Sequence, residues 1–503
     1  MGMKCGWTRR APRGLIVVTA TALLLLGAAS TVAAQASASA PASASPVVAS
    51  PTVTGPVTGG NGATVLRGTT IDLASVGYTQ SEFFLSGNAT SYAPTAALGS
   101  DGRWQVAPAS AAPYTTRIVV YRPANPARFN GSVIVEWLNV TGGSDVAVDW
   151  TYTHNELIRD GFAWVGVSAQ AVGVAANKTT DPVRYAALSH PGDSYSYDIF
   201  SQAGQAILDS APTILGQRRP RAMLAEGESQ SASRLTAYVN AIQPLAHVYN
   251  GFLLHSRAGG SAALSQAPQP DVQAPQVVHL RPDLGVPVLT VQTETDLMLL
   301  GYLAARQPDS PGIRLWEMAG TSHGDNYTLT VGPGDNGSGA AGLQQLNSML
   351  NPPTGTTGFT CDTPINTGPM HYVMDGAQYA LNRWVTAGVA PAVAPRLQVT
   401  TSGSAPAFVL DANGNVKGGV RTPAVDVPVA TLSGLGQPGA SFCRLFGTTV
   451  PFDAVKLEAL YPTHVHFVER WAAATGSAVF AGFIRPADAA ELVTAAARSS
   501  IGG

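Results

Sequence analysis

The chain has 503 residues, 45% of them hydrophobic and only 12% charged, with a formal net charge of −2. That length supports a large buried core, in one decorated domain or in two. The balanced charge offers no electrostatic footprint for nucleic acid or acidic lipid, so partners of those classes are not expected.

The N-terminus carries Arg9, Arg10 and Arg13, then an apolar run over 15–26, then small residues ending Val32-Ala33-Ala34. These are the three parts of a secretory signal peptide, with cleavage expected after Ala34. The run is too short and wrongly flanked for a stable membrane anchor. Arg9-Arg10 hints at twin-arginine export, although Thr-Arg-Arg-Ala-Pro is a poor version of that signal. The mature protein is therefore expected to be secreted. Of three cysteines, Cys5 would leave with the signal; an oxidising compartment would join the remaining two, Cys361 and Cys443, the alternative being two buried thiols.

Residues 35–62 are mostly Ala, Ser, Pro, Thr, Val and Gly without charge or period, which predicts a disordered linker. Strands are expected at 78–85, 114–121 and 131–137. From there strands and helices alternate: helices at 149–158 and 197–208, strands at 162–167, 221–226, 251–254, 286–292 and 313–318. Such alternation predicts an α/β fold, a mostly parallel sheet with helices on both faces, whose ligand site lies at the carboxyl ends of the strands. Two long connections, 256–285 and 324–370, are surface excursions or lids. A helix over 371–386 stops at Gly388, a hairpin turns at Asn413-Gly414, and helices follow at 463–475 and from about Asp488. The division expected is a signal peptide (1–34), a linker (35–62), a catalytic domain (63–392) and a C-terminal extension packed on it (393–503).

The chemistry centres on Arg221 and the residues after it. The apolar run Ala222-Met223-Leu224-Ala225 ends at Gly227, and helical spacing begins with Ala232, Leu235 and Val239. Ser229 sits at the turn, with the small residues Gly227 and Ser231 two positions to either side. That is the steric requirement of a nucleophile elbow, usually G-x-S-x-G. A serine hydroxyl needs a base and an orienting acid. The strand over 286–292 runs into Thr293-Glu294-Thr295-Asp296, and that over 313–318 into Gly320-Thr321-Ser322-His323-Gly324-Asp325. Serine, acid and histidine thus follow in that order at strand ends, the chain order of an α/β-hydrolase.

With its G-E-S-Q-S, T-E-T-D and T-S-H-G-D segments, the sequence resembles the α/β-hydrolase superfamily, and within it the bacterial and exported α/β-hydrolase domain proteins. The resemblance covers roughly 65–500 and takes in V-E-W-L-N-V at 135–140 and G-G-V-R-T-P at 418–423. It implies Ser229 as nucleophile, His323 as general base and Asp296 as orienting acid, with Glu294 the rival acid. The sequence departs from the pattern at Ser231, where the second elbow glycine would stand, and lacks a His-Gly-Gly-Gly segment. The oxyanion hole is expected from the backbone N–H of Gln230 and from Val140 or Thr141 in the loop after the strand over 131–137.

Gly320-Thr321-Ser322-His323-Gly324 also satisfies G-x-S-x-G, but no amphipathic helix follows it, so Ser322 reads as a neighbour of the base. Gln170 is too large for Gly166-Val167-Ser168-Ala169-Gln170 to be an elbow. His464 and His466, two apart on a helix, do not share a face, and no metal is expected. Glu228 and Gln230 either line the pocket or are solvated. Asn-x-Ser/Thr at Asn88, Asn139 and Asn326 is too common to imply glycosylation. The function expected is a secreted, cofactor-free serine hydrolase acting on a small or polymeric carboxylic ester. The alternatives are a peptidase or amidase with the same triad and a non-catalytic binding protein on this scaffold.

Overall fold

Nine strands form one sheet: β1 (Thr52–Thr54), β2 (Tyr78–Pro94), β3 (Val106–Pro123), β4 (Ser132–Trp137), β5 (Ala163–Val167), β6 (Ala222–Glu228), β7 (Gly251–His255), β8 (Val288–Gln292) and β9 (Ile313–Glu317), in the order β1-β2-β3-β5-β4-β6-β7-β8-β9. The computed structural model describes residues 48–503 apart from 217, 218, 357, 358, 404 and 440, so the expected signal peptide and the start of the expected linker lie outside the described residues. From β5 through β9 every neighbouring pair is parallel, whereas β1, β2, β3 and β5 pair antiparallel.

The central strands read as near-continuous apolar runs because helices cover both faces. Val133 and Val135 of β4 enter one core with Met223 and Ala225 of β6, while Ile134 and Leu224, one residue along, enter the other. The first core is closed by α3 (Ser196–Asp209) and α5 (Gln230–Ala237), through Phe200, Ala203 and Leu235. The second is closed by α1 (Val148–Asp160) and α9 (Met370–Ala387), through Trp150, Leu157, Val373 and Leu381. Both end in left-handed glycines, Gly161 (φ 73°) and Gly388 (φ 68°), where a residue without a Cβ terminates a helix at little cost.

Several expectations need correction. Residues 52–54 of the expected linker pair with β2, and buried groups elsewhere in the chain hold the segment in place: Arg184 donates to the carbonyls of Val57 and Gly59 (both 3.1 Å), and Arg117 to that of Val65. Its order comes from partners distant in sequence, so its own composition does not betray it. The connection over 324–370 is largely structured, with a helix at Ala340–Leu350 and a short hairpin at Gly355–Thr356 and Phe359–Thr360. A helix at Ala171–Thr180 was also not expected. The helix starting at His464 runs through Gly476 to Phe480, since one exposed glycine costs a helix only about 1 kcal/mol.

After 393 come the strand pair Ala430–Ser433 and Thr448–Pro451 and helices including His464–Phe480 and Pro486–Arg498. Their core is shared: Leu432, Phe467 and Trp471 pack with Leu346 and Tyr372 from the earlier chain. A disulfide joins Cys361 to Cys443 across the same junction.

Candidate active site

Three parallel strands, β6, β8 and β9, end at one place, with β7 between the first two. β6 leads into Ser229, whose φ of 58° and ψ of −113° are far from any relaxed region for a residue with a Cβ. Such a conformation costs on the order of 1–3 kcal/mol and persists only where its surroundings enforce it. Here Ser229 N donates to His255 O at the end of β7 (2.9 Å), and Ser233 N in α5 donates to Ser229 O (2.9 Å). A Cβ on Gly227 would lie 2.9 Å from that of Ser231, so the tight turn needs a glycine on only one side. Ser231 fills the other as an ordinary helical residue.

β8 ends at a capping box. Thr293 Oγ1 accepts from Asp296 N, and Asp296 Oδ2 accepts from Thr293 N (2.7 Å), locking the carboxylate with Oδ1 free to face the next strand end. There, after β9, His323 Nδ1 meets Asp296 Oδ1 at 2.7 Å and its Nε2 meets Ser229 Oγ at 2.7 Å. Ser229, His323 and Asp296 are thus brought together in one hydrogen-bonded line. Glu294 is committed elsewhere, accepting from Gly320 N (2.6 Å) and Gly434 N (2.8 Å), and so fixes the loop that carries the histidine. Ser322 is fully buried, with its hydroxyl on Gly324 O (2.6 Å). His464 bonds to the carbonyls of Ile501 and Ala497.

The loop after β4 is pinned to the elbow. Asn139 Nδ2 donates to Glu228 O (3.1 Å) and Oε2 (2.9 Å), and Asn139 Oδ1 accepts from Thr141 N (2.8 Å). Thr141's amide is therefore occupied, which narrows the two loop donors expected to one. The N–H groups of Val140 and Gln230 have no partner among the described residues.

Glu228 is the residue the sequence left undecided. It is 6% exposed, so it is not solvated, and its Oε1 lies 3.1 Å from His323 Nε2, the nitrogen that also faces Ser229. Its place beside the elbow serine on a buried strand end was the available signal. Burial works against a charged His323, but Glu228 and then Asp296 outweigh it and lift the imidazole to about 9. Burial likewise pushes Glu228 up to about 7, against the pull of His323. Behind the elbow lies a second pair, His255 Nδ1 and Asp149 Oδ1 at 2.8 Å, both fully buried. Burial pulls His255 down to about 4 and pushes Asp149 up, disfavouring the charged form of each, and neither residue lines the cavity.

Ser229 and His323 open onto a cavity of about 230 Å³. Val148, Leu329, Leu445 and Phe446 give it an apolar wall, Phe442 stands at its edge 57% exposed, and Arg67 and Gly142 line it as well. Of the two long connections, only that over 324–370 contributes lining residues. Among the described residues, no group of three or more His, Cys, Asp or Glu is placed to hold a metal ion, and no helix is long and apolar enough to cross a membrane.

The sequence matches the family described as alpha/beta hydrolase domain over residues 53–494. None of the curated proteins compared with the chain matches it. Among solved structures, it is similar to an arylesterase at 10% identity, covering 36% of this chain and 63% of that one, with a TM-score of 0.23. A fungal esterase from Rhizomucor miehei is 12% identical over 49% of this chain and 81% of its own, with a TM-score of 0.24. An alpha-beta serine hydrolase homologue from Coxiella burnetii is 14% identical over 42% and 84%, with a TM-score of 0.27.

Proposed function

This chain belongs to the alpha/beta hydrolase domain family, and from that premise we propose that it is an exported serine hydrolase that cleaves carboxylic esters through an acyl-enzyme. The observation that carries the reading is the unbroken line from Ser229 Oγ through His323 to Asp296, with 2.7 Å at each step. Ser229 Oγ attacks the carbonyl carbon as its proton passes to His323 Nε2. The oxyanion that forms is received by the free amides of Gln230 and Val140, each such donor being worth about 3 kcal/mol in the transition state. The imidazolium then gives its proton to the departing alcohol. Water, deprotonated by the same nitrogen, releases the acid and restores Ser229. Asp296 holds the ring with Nδ1–H toward itself, which keeps Nε2 available as the base.

Two features support the ester preference and export. The cavity is small and largely apolar, below the roughly 300–1,000 Å³ of drug-sized ligand sites, which suits a compact ester better than a peptide. The Cys361–Cys443 bridge is compatible with an oxidising compartment.

Fluorophosphonate labelling of the purified protein, mapped by mass spectrometry, tests the reading. The adduct is expected on Ser229 and absent in Ser229→Ala, with turnover of short p-nitrophenyl esters lost in parallel. A folded wild-type protein that neither labels nor hydrolyses any ester would leave the binding-protein reading standing in its place.

A further inference from the structure

Among the described residues, Arg67 is the one lysine or arginine that lines the cavity holding Ser229 and His323. Its backbone is fixed on both sides: Arg67 N donates to Asp145 O (3.1 Å), and Ala147 N donates to Arg67 O (2.8 Å). Its guanidinium, by contrast, has no hydrogen bond or ion pair among the described residues. Most other arginines here are committed; Arg117, Arg184 and Arg234, for example, are each held by buried carboxylates. The nearby acid, Asp145, turns Oδ2 to Arg117 (2.9 Å), Asn177 (2.8 Å) and Ser168, while its partnerless Oδ1 lies against Gly173. Glu228, the only carboxylate lining the cavity among the described residues, is held by Asn139 and His323. A cation with no counter-ion is therefore left at the edge of the reaction chamber.

Its position is informative. A Cβ on Gly142 would lie 3.4 Å from Arg67 Nη1, so the guanidinium rests against the Asn139–Gly143 loop, which carries the unpartnered amide of Val140. The wall formed by Leu329, Leu445 and Phe446 is apolar. The cavity therefore has one cationic margin and one greasy side, with the nucleophile between them.

We propose that the substrate is a small ester bearing a carboxylate within a few bonds of the scissile carbonyl, with Arg67 receiving that carboxylate and the apolar wall receiving the remainder. Arginine suits this because its planar fork donates to both carboxylate oxygens at once. The inference rests on the ester-hydrolase reading, and its test separates the two.

The experiment compares kcat/KM for p-nitrophenyl butyrate with that for the mono-p-nitrophenyl ester of glutaric acid, a chain of similar length ending in a carboxylate. The wild-type protein is expected to favour the carboxylated ester. Arg67 is exposed, so Arg67→Gln is expected to lower the ratio of the two constants about fivefold at low salt, the upper range for a solvent-exposed ion pair. Arg67→Lys should restore part of it, and added salt should erode the wild-type preference. Turnover of the butyrate ester with no preference for its acidic counterpart, or a ratio that Arg67→Gln leaves unchanged, overturns the proposal while the esterase reading stands. If neither ester is hydrolysed, the proposal falls, and if Ser229 also takes no fluorophosphonate the esterase reading falls with it.

Discussion

At Glu228 two demands meet on one nitrogen. In the proposed mechanism His323 Nε2 accepts the proton of Ser229, yet a buried carboxylate 3.1 Å away favours the protonated ring. The arrangement stabilises the imidazolium formed during the reaction and, by the same attraction, discourages the neutral base needed to begin it. His323, raised to about 9, becomes available as a base only as pH rises toward that value, so kcat/KM should climb through the alkaline range. Besides His323, the titratable groups that act on Glu228 are His255, Asp149 and Asp296. Glu228→Gln removes the strongest influence raising His323 and keeps an oxygen for Asn139. Its acid limb is expected at lower pH, with a plateau reduced by roughly tenfold, or about 1.4 kcal/mol of lost imidazolium stabilisation. A pH–rate profile decides the matter: an unmoved limb would mean that Glu228 serves only to hold the loop. Why Asp296 and not Glu294 serves the histidine was open in the sequence because both follow the same strand. The choice comes from the capping box, which aims one carboxylate across to the next strand end and turns the other toward Gly320 and Gly434.

The elbow as an element depends on close approach between the end of β6 and the first turn of α5. Gly227→Ala would place a methyl 2.9 Å from Ser231 Cβ and 3.2 Å from Leu235 Cδ1, with little room to yield. Overpacking of this kind costs about 1–3 kcal/mol, and here it would fall on the backbone that presents the nucleophile. Fluorophosphonate labelling of Gly227→Ala is expected to be slowed at least tenfold, and Ser231→Gly, added to it, should recover part of the rate. Equal labelling in wild type and Gly227→Ala would mean that the turn tolerates the extra carbon. Elements whose pattern is intrinsic were legible in the sequence: the buried strands β4 to β9 show as apolar runs, and α9 shows as periodic spacing ended by Gly388. The helix Ala171–Thr180 was not, because Val-Gly-Val-Ala-Ala followed by Asn-Lys-Thr-Thr has neither a strong apolar stripe nor a capping side chain. β1 escaped for a different reason, being three residues long and held by groups far along the chain.

Across the whole molecule, the cavity at Ser229 is assembled from both sides of the junction near residue 393. Ser229, Asp296 and His323 come from before it, while Phe442, Leu445 and Phe446 come from after it. Cys443 lies among those three residues, and its bond to Cys361 closes a span of 82 residues. In the chain-entropy model such a link is worth about 4 kcal/mol. Reduction, or the paired substitution of both cysteines by serine, is expected to lower the urea midpoint and to raise KM for apolar esters while labelling of Ser229 persists. A KM unchanged on reduction would show that the wall holds its place without the bridge. The sequence made the pairing foreseeable from compartment and count, but not its nearness to the active site, because nothing around Cys443 reports which cavity its neighbours face. The chain's order of synthesis then matters in its own right. Ser229, Asp296 and His323 all emerge before Phe442 does, so a nascent chain carries that hydrogen-bonded line before it carries the last wall of the cavity around it.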